Sequence, residues 1–206
     1  MYKVFFNQKP LILSNQIHEI SDNEPLLYIK YSNANQIIKA LKNNKNTRVF
    51  LYHRDINKLW KGFIKKFPIV VAAGGLVERN DRKTLFIFRN NKWDLPKGGV
   101  EKKEKIIEAA VREVTEETGV SDLLVKNRLS ETFHLFKKGK RYRLKKTYWF
   151  KMKTNYMGEL KPQTEEGIEN AKWISKDKIS YILNDAFENI RLIVMEVLDS
   201  DSFWDK

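Results

Sequence analysis

Four carboxylates and one guanidinium recur at fixed offsets in the stretch Gly98 to Val120, GGVEKKEKIIEAAVREVTEETGV. Glu104 stands alone; Arg112, Glu113, Glu116 and Glu117 follow as a cluster. Glu113, Glu116 and Glu117 are at i, i+3 and i+4, so on a helix they share one face. Like charges at that spacing repel by roughly a few tenths of a kcal/mol per pair. A hard divalent cation removes the repulsion: Mg²⁺ or Mn²⁺ takes oxygen ligands and keeps positions open for water and phosphate oxygens. The chemistry this pattern suits is holding such an ion against a diphosphate.

Those side chains need a helix between a glycine turn and a glycine stop. Lys105 to Thr118 contains good helix formers and neither Gly nor Pro. Gly119 supplies the C-terminal stop. Ile107, Ala110, Val111 and Val114 fall on one stripe, which is expected to face the core. Ala109 lies between the glutamates on the helical wheel, too small to obstruct a ligand. Arg112 is four residues before Glu116 and eight after Glu104, placed to brace either carboxylate with a bidentate pair.

The segment resembles the Nudix box, G-x5-E-x7-R-E-U-x-E-E-x-G-U with U apolar, at every specified position. The resemblance implies an α/β fold, a mixed sheet sandwiched between helices, with the box as loop-helix-loop. It implies hydrolysis of a nucleoside diphosphate linked to another group. It also implies Mg²⁺ or Mn²⁺ held by Glu113, Glu116, Glu117 and the main-chain carbonyl of Lys97, with Glu104 and Arg112 orienting them. In many Nudix enzymes a loop glutamate before the final strand acts as general base or extra ligand. Glu165 and Glu166 occupy that neighbourhood; Glu116 and Glu117 are further candidates for the base. Trp93-Asp94-Leu95-Pro96-Lys97-Gly98 looks like the diadenosine and diphosphoinositol polyphosphate hydrolases of the family, which favours a dinucleoside polyphosphate. Two departures stand out. Lys103 sits where those enzymes usually carry glycine, so the loop path is open to change. Phe136 only partly meets a tyrosine marker past the box.

The chain of 206 residues has a hydrophobic fraction of 42%, enough for a core, and no cysteine. Disulfides and thiolate metal sites are thereby excluded, and no Ser-His arrangement accompanies the box. The N-terminal MYKVFFNQKPLILSNQ lacks the apolar core of a signal peptide, and no apolar run approaches the ~18 residues of a membrane span. A cytoplasmic protein is the expectation. The net charge of +13 suits a polyanionic substrate or partner, although 29 of the 39 cationic residues are Lys, which coding bias also produces. Seven of the ten residues from Lys137 to Lys146 are cationic. Lys137, Lys138, Lys140, Arg141 and Arg143, with Lys97 and Phe136, are the candidates for holding the remaining phosphates of a nucleotide, or an RNA backbone. An enzyme acting on RNA 5′ ends is therefore a second reading. A non-catalytic nucleotide sensor is a third, which predicts an eroded box.

Pattern reading divides the chain at residue 67. Residues 1–67 read as a small α+β extension of unrecognised family. It has a hairpin around Gln8-Lys9-Pro10, strands over Pro25–Tyr31 and Arg48–His53, and helices over Asn35–Asn43 and Asp55–Lys66. At that size it is expected to pack on the rest or to form a homodimer. Residues 68–206 read as the Nudix-type domain. A strand over Ile69–Val77 is interrupted by Gly74-Gly75, and Lys83–Arg89 is its hairpin partner. After the box come strands Leu123–Phe136, Arg141–Met152 and Ala171–Ile174, a helix opened by Ser175, and a closing amphipathic helix over Asp185–Leu198.

Overall fold

The computed structural model describes residues 1–16 and 19–199. In chain order the elements are β1 (Tyr2–Phe6), β2 (Lys9–Ser14), β3 (Leu26–Tyr28), α1 (Ala34–Lys42), β4 (Val49–Tyr52), α2 (Ile56–Lys66), β5 (Ile69–Arg79), β6 (Thr84–Arg89), β7 (Lys92–Asp94), β8 (Lys97–Gly99) and α3 (Ile106–Thr118). There follow β9 (Leu124–Arg128), β10 (Thr132–Lys138), β11 (Arg141–Thr154), a 3₁₀ turn over Thr164–Glu166, β12 (Asn170–Ile174), α4 (Lys176–Asn184) and α5 (Glu188–Asp199). No helix among the described residues is long and apolar enough to cross a membrane.

The chain forms two compact units, one of Met1–Val70 with Thr132–Lys146, the other of Val71–Glu131 with Thr147–Lys206. The basic hairpin, expected with the second region, therefore groups with the first. The reason lies in its pairing: β10 runs parallel to β1, Val4 opposite Phe133 and Phe6 opposite Leu135.

In the first unit β1 and β2 pair antiparallel, with Asn7 at φ 54° in the tight turn between them. Strands β2 and β3 each pair parallel with β4. The strand expected over Pro25–Tyr31 stops after three residues, because the amides of Tyr31 and Ser32 fold back onto the Tyr28 carbonyl. Asn33 caps α1 with a full capping box and Asp55 caps α2 by accepting from the amides of Asn57 and Lys58. Both helices bury one apolar stripe: Ile37, Ile38 and Leu41 from α1, and Leu59 and Phe63 from α2, meet Val4, Leu11, Leu13, Leu51, Leu135 and Leu144.

The second unit is a sheet with helices on both faces. Strand alternation assigns the faces. Ala73 and Val77 of β5, Leu85 of β6, and Phe150 and Met152 of β11 pack with Ala109, Ala110 and Val114 of α3. Leu76, Phe86 and Trp149, each one residue out of phase with those, pack with Ile179, Ile182 and Leu183 of α4 and Ile190, Ile193, Val194 and Val197 of α5. The sheet runs β12-β6-β5-β11, with β7 on β6, β8 on β5 and β9 on β11. This is the mixed sheet between helices that the resemblance implies.

Three expectations need correction here. Gly74 and Gly75 do not interrupt β5, which is continuous. Gly74 is instead a close-approach position, since a Cβ there would overlap the Pro96 carbonyl and Lys97. The strand expected over Leu123–Phe136 is two, β9 and β10. They are separated where Leu129 turns into the core and donates its amide to the Trp149 carbonyl at 2.9 Å. Ile107 is 42% exposed. The buried face of α3 is Ala109, Ala110, Glu113, Val114, Glu117 and Thr118, rotated toward the glutamates.

Candidate active site

Helix α3 has no side-chain cap at Lys105 and ends at Gly119, φ 75°, whose amide donates to the Thr115 carbonyl. The loop before the helix turns through Lys103 at φ 70°. Lys103 thus adopts the left-handed conformation natural to glycine, and the departure from the family pattern leaves that backbone path accessible to a lysine.

Arg112 organises one half of the site. Its Nε and Nη2 donate to Glu104 Oε1 and Oε2 at 2.8 and 2.9 Å, a bidentate pair. Nη2 also donates to the Gly99 carbonyl at 2.8 Å, fixing helix to loop. Nη1 donates to both Glu113 Oε1 and Glu116 Oε2, each at 2.8 Å. The hydrogen bonds it donates to Glu104, Glu113 and Glu116 hold the guanidinium charged, its pKa above its ordinary value. The Arg112 hydrogen bond, with help from the Glu101 amide, holds the Glu104 carboxyl at about 2. A Cβ on Gly98 would fall inside the Glu113 carboxylate, so the box glycine is required by this packing.

The other half is a buried ionic network. Glu117 is fully buried, and its Oε2 accepts from the Lys97 amide at 2.8 Å. Among the described residues its Oε1 has no hydrogen-bond partner, and Arg89 Nη1 is 3.7 Å away. Burial drives the Glu117 carboxyl up to about 7, against the pull of Lys97 and Arg89. Glu113 is also raised, by burial first, with the charges of Glu166 and Glu116 adding to it and Arg112 opposing. The Lys97 ammonium donates to Asp94 Oδ2 at 2.7 Å, and Arg89 Nε reaches the same oxygen at 3.1 Å. Burial works against the Asp94 carboxylate, but Lys97, Arg89 and the Leu95 amide together outweigh it and hold its pKa below its ordinary value.

Two site expectations change. The Lys97 side chain does not present its ammonium to solvent as a phosphate grip, because it is buried and paired with Asp94. Nor do the box carboxylates converge on one point: among the described residues no group of three or more His, Cys, Asp or Glu side chains is gathered as around a metal ion. Arg112 stands between Glu113 and Glu116, and Glu117 points to the Lys97 peptide. The donor chemistry nevertheless fits a hard cation. A buried carboxylate oxygen with no partner and a raised pKa is the condition that a bound divalent ion relieves.

Glu166 and Glu165 lie on the exposed 3₁₀ turn closed by Gly167 at φ 74°. The segment leading to it is tied to the end of α3: the Lys161 amide donates to the Thr118 carbonyl at 2.8 Å and Gln163 to Glu117 at 3.2 Å. Glu166 thereby acts electrostatically on Glu113. Phe136, Lys137, Lys138, Lys140, Arg141 and Arg143 belong to the first unit. Phe136 is half-buried, with the Lys145 ammonium 5.3 Å from its ring centroid. Asp94 and Arg89 were missed from the sequence as members of the network. Asp94 lies in the Trp93–Gly98 stretch; the pairing of β7 with β6 brings it to Arg89, and Lys97 on β8 reaches the same carboxylate.

Known proteins resemble this chain in sequence and structure. A curated protein of Sphingopyxis alaskensis, an RNA pyrophosphohydrolase, is 31% identical over 108 residues, covering 46% of this chain and 67% of its own. An Ap4A hydrolase of C. elegans aligns in structure with a TM-score of 0.48 and 19% identity, covering 63% of this chain and 96% of that one. A MutT protein of Bacillus halodurans aligns at 0.47 and 28% identity, over 64% and 84%. The family model of the NUDIX domain matches residues 68–194, more than half of the sequence, and the chain belongs to the Nudix family.

Proposed function

We propose that this Nudix pyrophosphohydrolase cleaves a diphosphate linkage in a polyphosphorylated nucleotide, a dinucleoside polyphosphate in the first instance, by attack of water on phosphorus. The observation that carries the reading is the buried Glu117, with one oxygen on the Lys97 amide and the other unpartnered, beside the Arg112-braced Glu104, Glu113 and Glu116. Glu113, Glu116, Glu117 and the Lys97 carbonyl would hold Mg²⁺ or Mn²⁺. When bound, such an ion neutralises charge developing on phosphoryl oxygens and lowers the pKa of water.

The chain's own residues supply the remainder. Arg112 fixes the carboxylates in place and ties them to the Gly99 carbonyl, so the box loop and helix act as one rigid piece. Lys97, held by Asp94, orients its own peptide against Glu117. Glu165 and Glu166 are the loop candidates for the base that removes the proton from attacking water; Glu116 and Glu117 are the alternatives within the box. The bond between phosphorus and the bridging oxygen breaks, and a nucleotide phosphate leaves. The cationic hairpin belongs to the first unit and is a candidate for phosphate binding in its own right.

RNA with a 5′ polyphosphate is the second reading, supported by the Sphingopyxis alaskensis relative and by the hairpin's charge. Initial rates with Mg²⁺ or Mn²⁺ on diadenosine tetraphosphate, ADP-ribose, nucleoside triphosphates, a diphosphoinositol phosphate and 5′-triphosphate RNA test the assignment. The diadenosine compound is expected to give the highest kcat/KM. Preference for the RNA selects the second reading, and turnover of none of these refutes both.

A further inference from the structure

The charge of this protein is segregated. The first unit carries 19 Lys and Arg against 4 Asp and Glu, net +15; the second carries 20 against 22, net −2. A lysine-rich coding bias acts on both units alike, so it does not account for a chain whose whole positive excess sits on one of them. The first unit also contains a cavity of about 310 Å³ whose wall includes Lys65, Lys66, Lys140, Arg141, Tyr142 and Arg143. It joins three stretches of sequence, the start of α1 at Ala34 and Asn35, the last turn of α2 and the tip of the β10–β11 hairpin. The Leu144 amide donates to the Pro68 carbonyl at 3.2 Å and so fixes the last two against each other. No carboxylate lines the cavity, and none of its five cations forms an ion pair among the described residues. Uncompensated like charge gathered at one concavity is unfavourable unless an anion joins it.

We infer that the first unit binds the backbone of a single-stranded nucleic acid, with phosphates seated in the cavity formed by Lys65, Lys66, Lys140, Arg141 and Arg143. The ligand extends beyond one phosphate. Exposed Lys58, Lys61 and Lys65 lie at i, i+3 and i+7 on α2, a cationic row that ends at the cavity. Single strands also need flat surfaces for bases. The same unit exposes Tyr31 at 74% and Tyr28 at 44%, the former beneath the Lys30 ammonium, 5.4 Å from its centroid. A membrane surface would call for an exposed aliphatic face instead, and the aliphatic stripes of α1 and α2 are buried. The inference does not depend on which substrate is hydrolysed, since it concerns binding without turnover.

The test is fluorescence anisotropy of a labelled 20-nucleotide single-stranded RNA, and of DNA of the same sequence, with the full chain in EDTA across a salt series. Binding is expected to weaken steeply with salt, log Kd against log salt having a slope of about 3 for four or five phosphates neutralised. K65S/K66S/K140S/R141S/R143S is expected to weaken binding more than about tenfold at low salt and to flatten the slope by about as much. K65E/K66E alone, which leaves the hairpin intact, is expected to give a smaller loss in the same direction, and circular dichroism shows whether each variant is folded. Absence of binding at low salt, or unchanged binding by both folded variants, overturns the inference. So does equal or stronger competition by inorganic polyphosphate of matched charge, or capture by phosphatidylserine vesicles without binding to either nucleic acid. Comparison of RNA with DNA shows whether the sugar is read.

Discussion

At the scale of the residue, the box glutamates differ more than their shared motif suggests. Glu116 is exposed and held by Arg112, whereas Glu117 is sealed beneath the Lys97 peptide with one oxygen unpartnered among the described residues. The sequence placed both on one face, and burial separates their environments. Glu116→Gln and Glu117→Gln keep shape and remove charge. Each is expected to lower kcat by roughly 10²-fold or more, with the fold retained, when turnover and circular dichroism are compared with wild type. Glu104 allows a pH prediction. Its carboxyl is held at about 2 against an ordinary 4.5, so the folded state favours the charged form. That contribution is present in full above pH 4.5 and is lost as pH falls toward 2. Glu104→Gln should therefore destabilise the protein at neutral pH and make its denaturation midpoint less sensitive to acid between those values. Parallel urea titrations from pH 7 to 2.5 check this; an unchanged acid limb counts against the Arg112–Glu104 pair as a stabilising contact.

Among the elements, the box helix was legible in detail because its start, stop and charged face follow from local chemistry. Its core-facing stripe was misjudged by a rotation toward Glu113 and Glu117. Helical periodicity ranks Ile107 as core and a glutamate as surface, and cannot register that a glycine loop closes over two carboxylates. The Arg89–Asp94–Lys97 network escaped for a similar reason: strand pairing, not sequence spacing, assembles it. The loop before the helix offers a stability test. Lys103 occupies φ 70°, a conformation that disfavours a side chain by about 1–2 kcal/mol, while glycine forfeits part of that gain through backbone entropy. Lys103→Gly is expected to raise unfolding free energy by about 0.5–1 kcal/mol, read from urea melts. A lower midpoint would mean that the lysine side chain contributes a contact outweighing its strain.

Over the whole molecule, a change of pattern divides the sequence at residue 67, whereas the folded chain groups residues 132–146 with residues 1–70. This grouping depends on parallel pairing of β10 with β1, a contact between residues more than a hundred apart. It also puts the charge excess on one unit and gives the hairpin a measurable signature. If Lys137, Lys138, Lys140, Arg141 and Arg143 hold outer phosphates, replacing several by Ser should raise KM more than it lowers kcat. The rise should grow with the number of substrate phosphates and shrink at high salt. Michaelis curves for a series of nucleotides of increasing phosphate number show this, and an equal KM change for every substrate contradicts it. We propose that a divalent ion at the box glutamates enables water to break a diphosphate linkage. The most direct test is turnover of diadenosine tetraphosphate and 5′-triphosphate RNA by the full chain, first in EDTA and then with Mg²⁺ or Mn²⁺ restored. Neither substrate is expected to be hydrolysed in EDTA, and metal is expected to restore turnover of the better one. Undiminished hydrolysis in EDTA would contradict it.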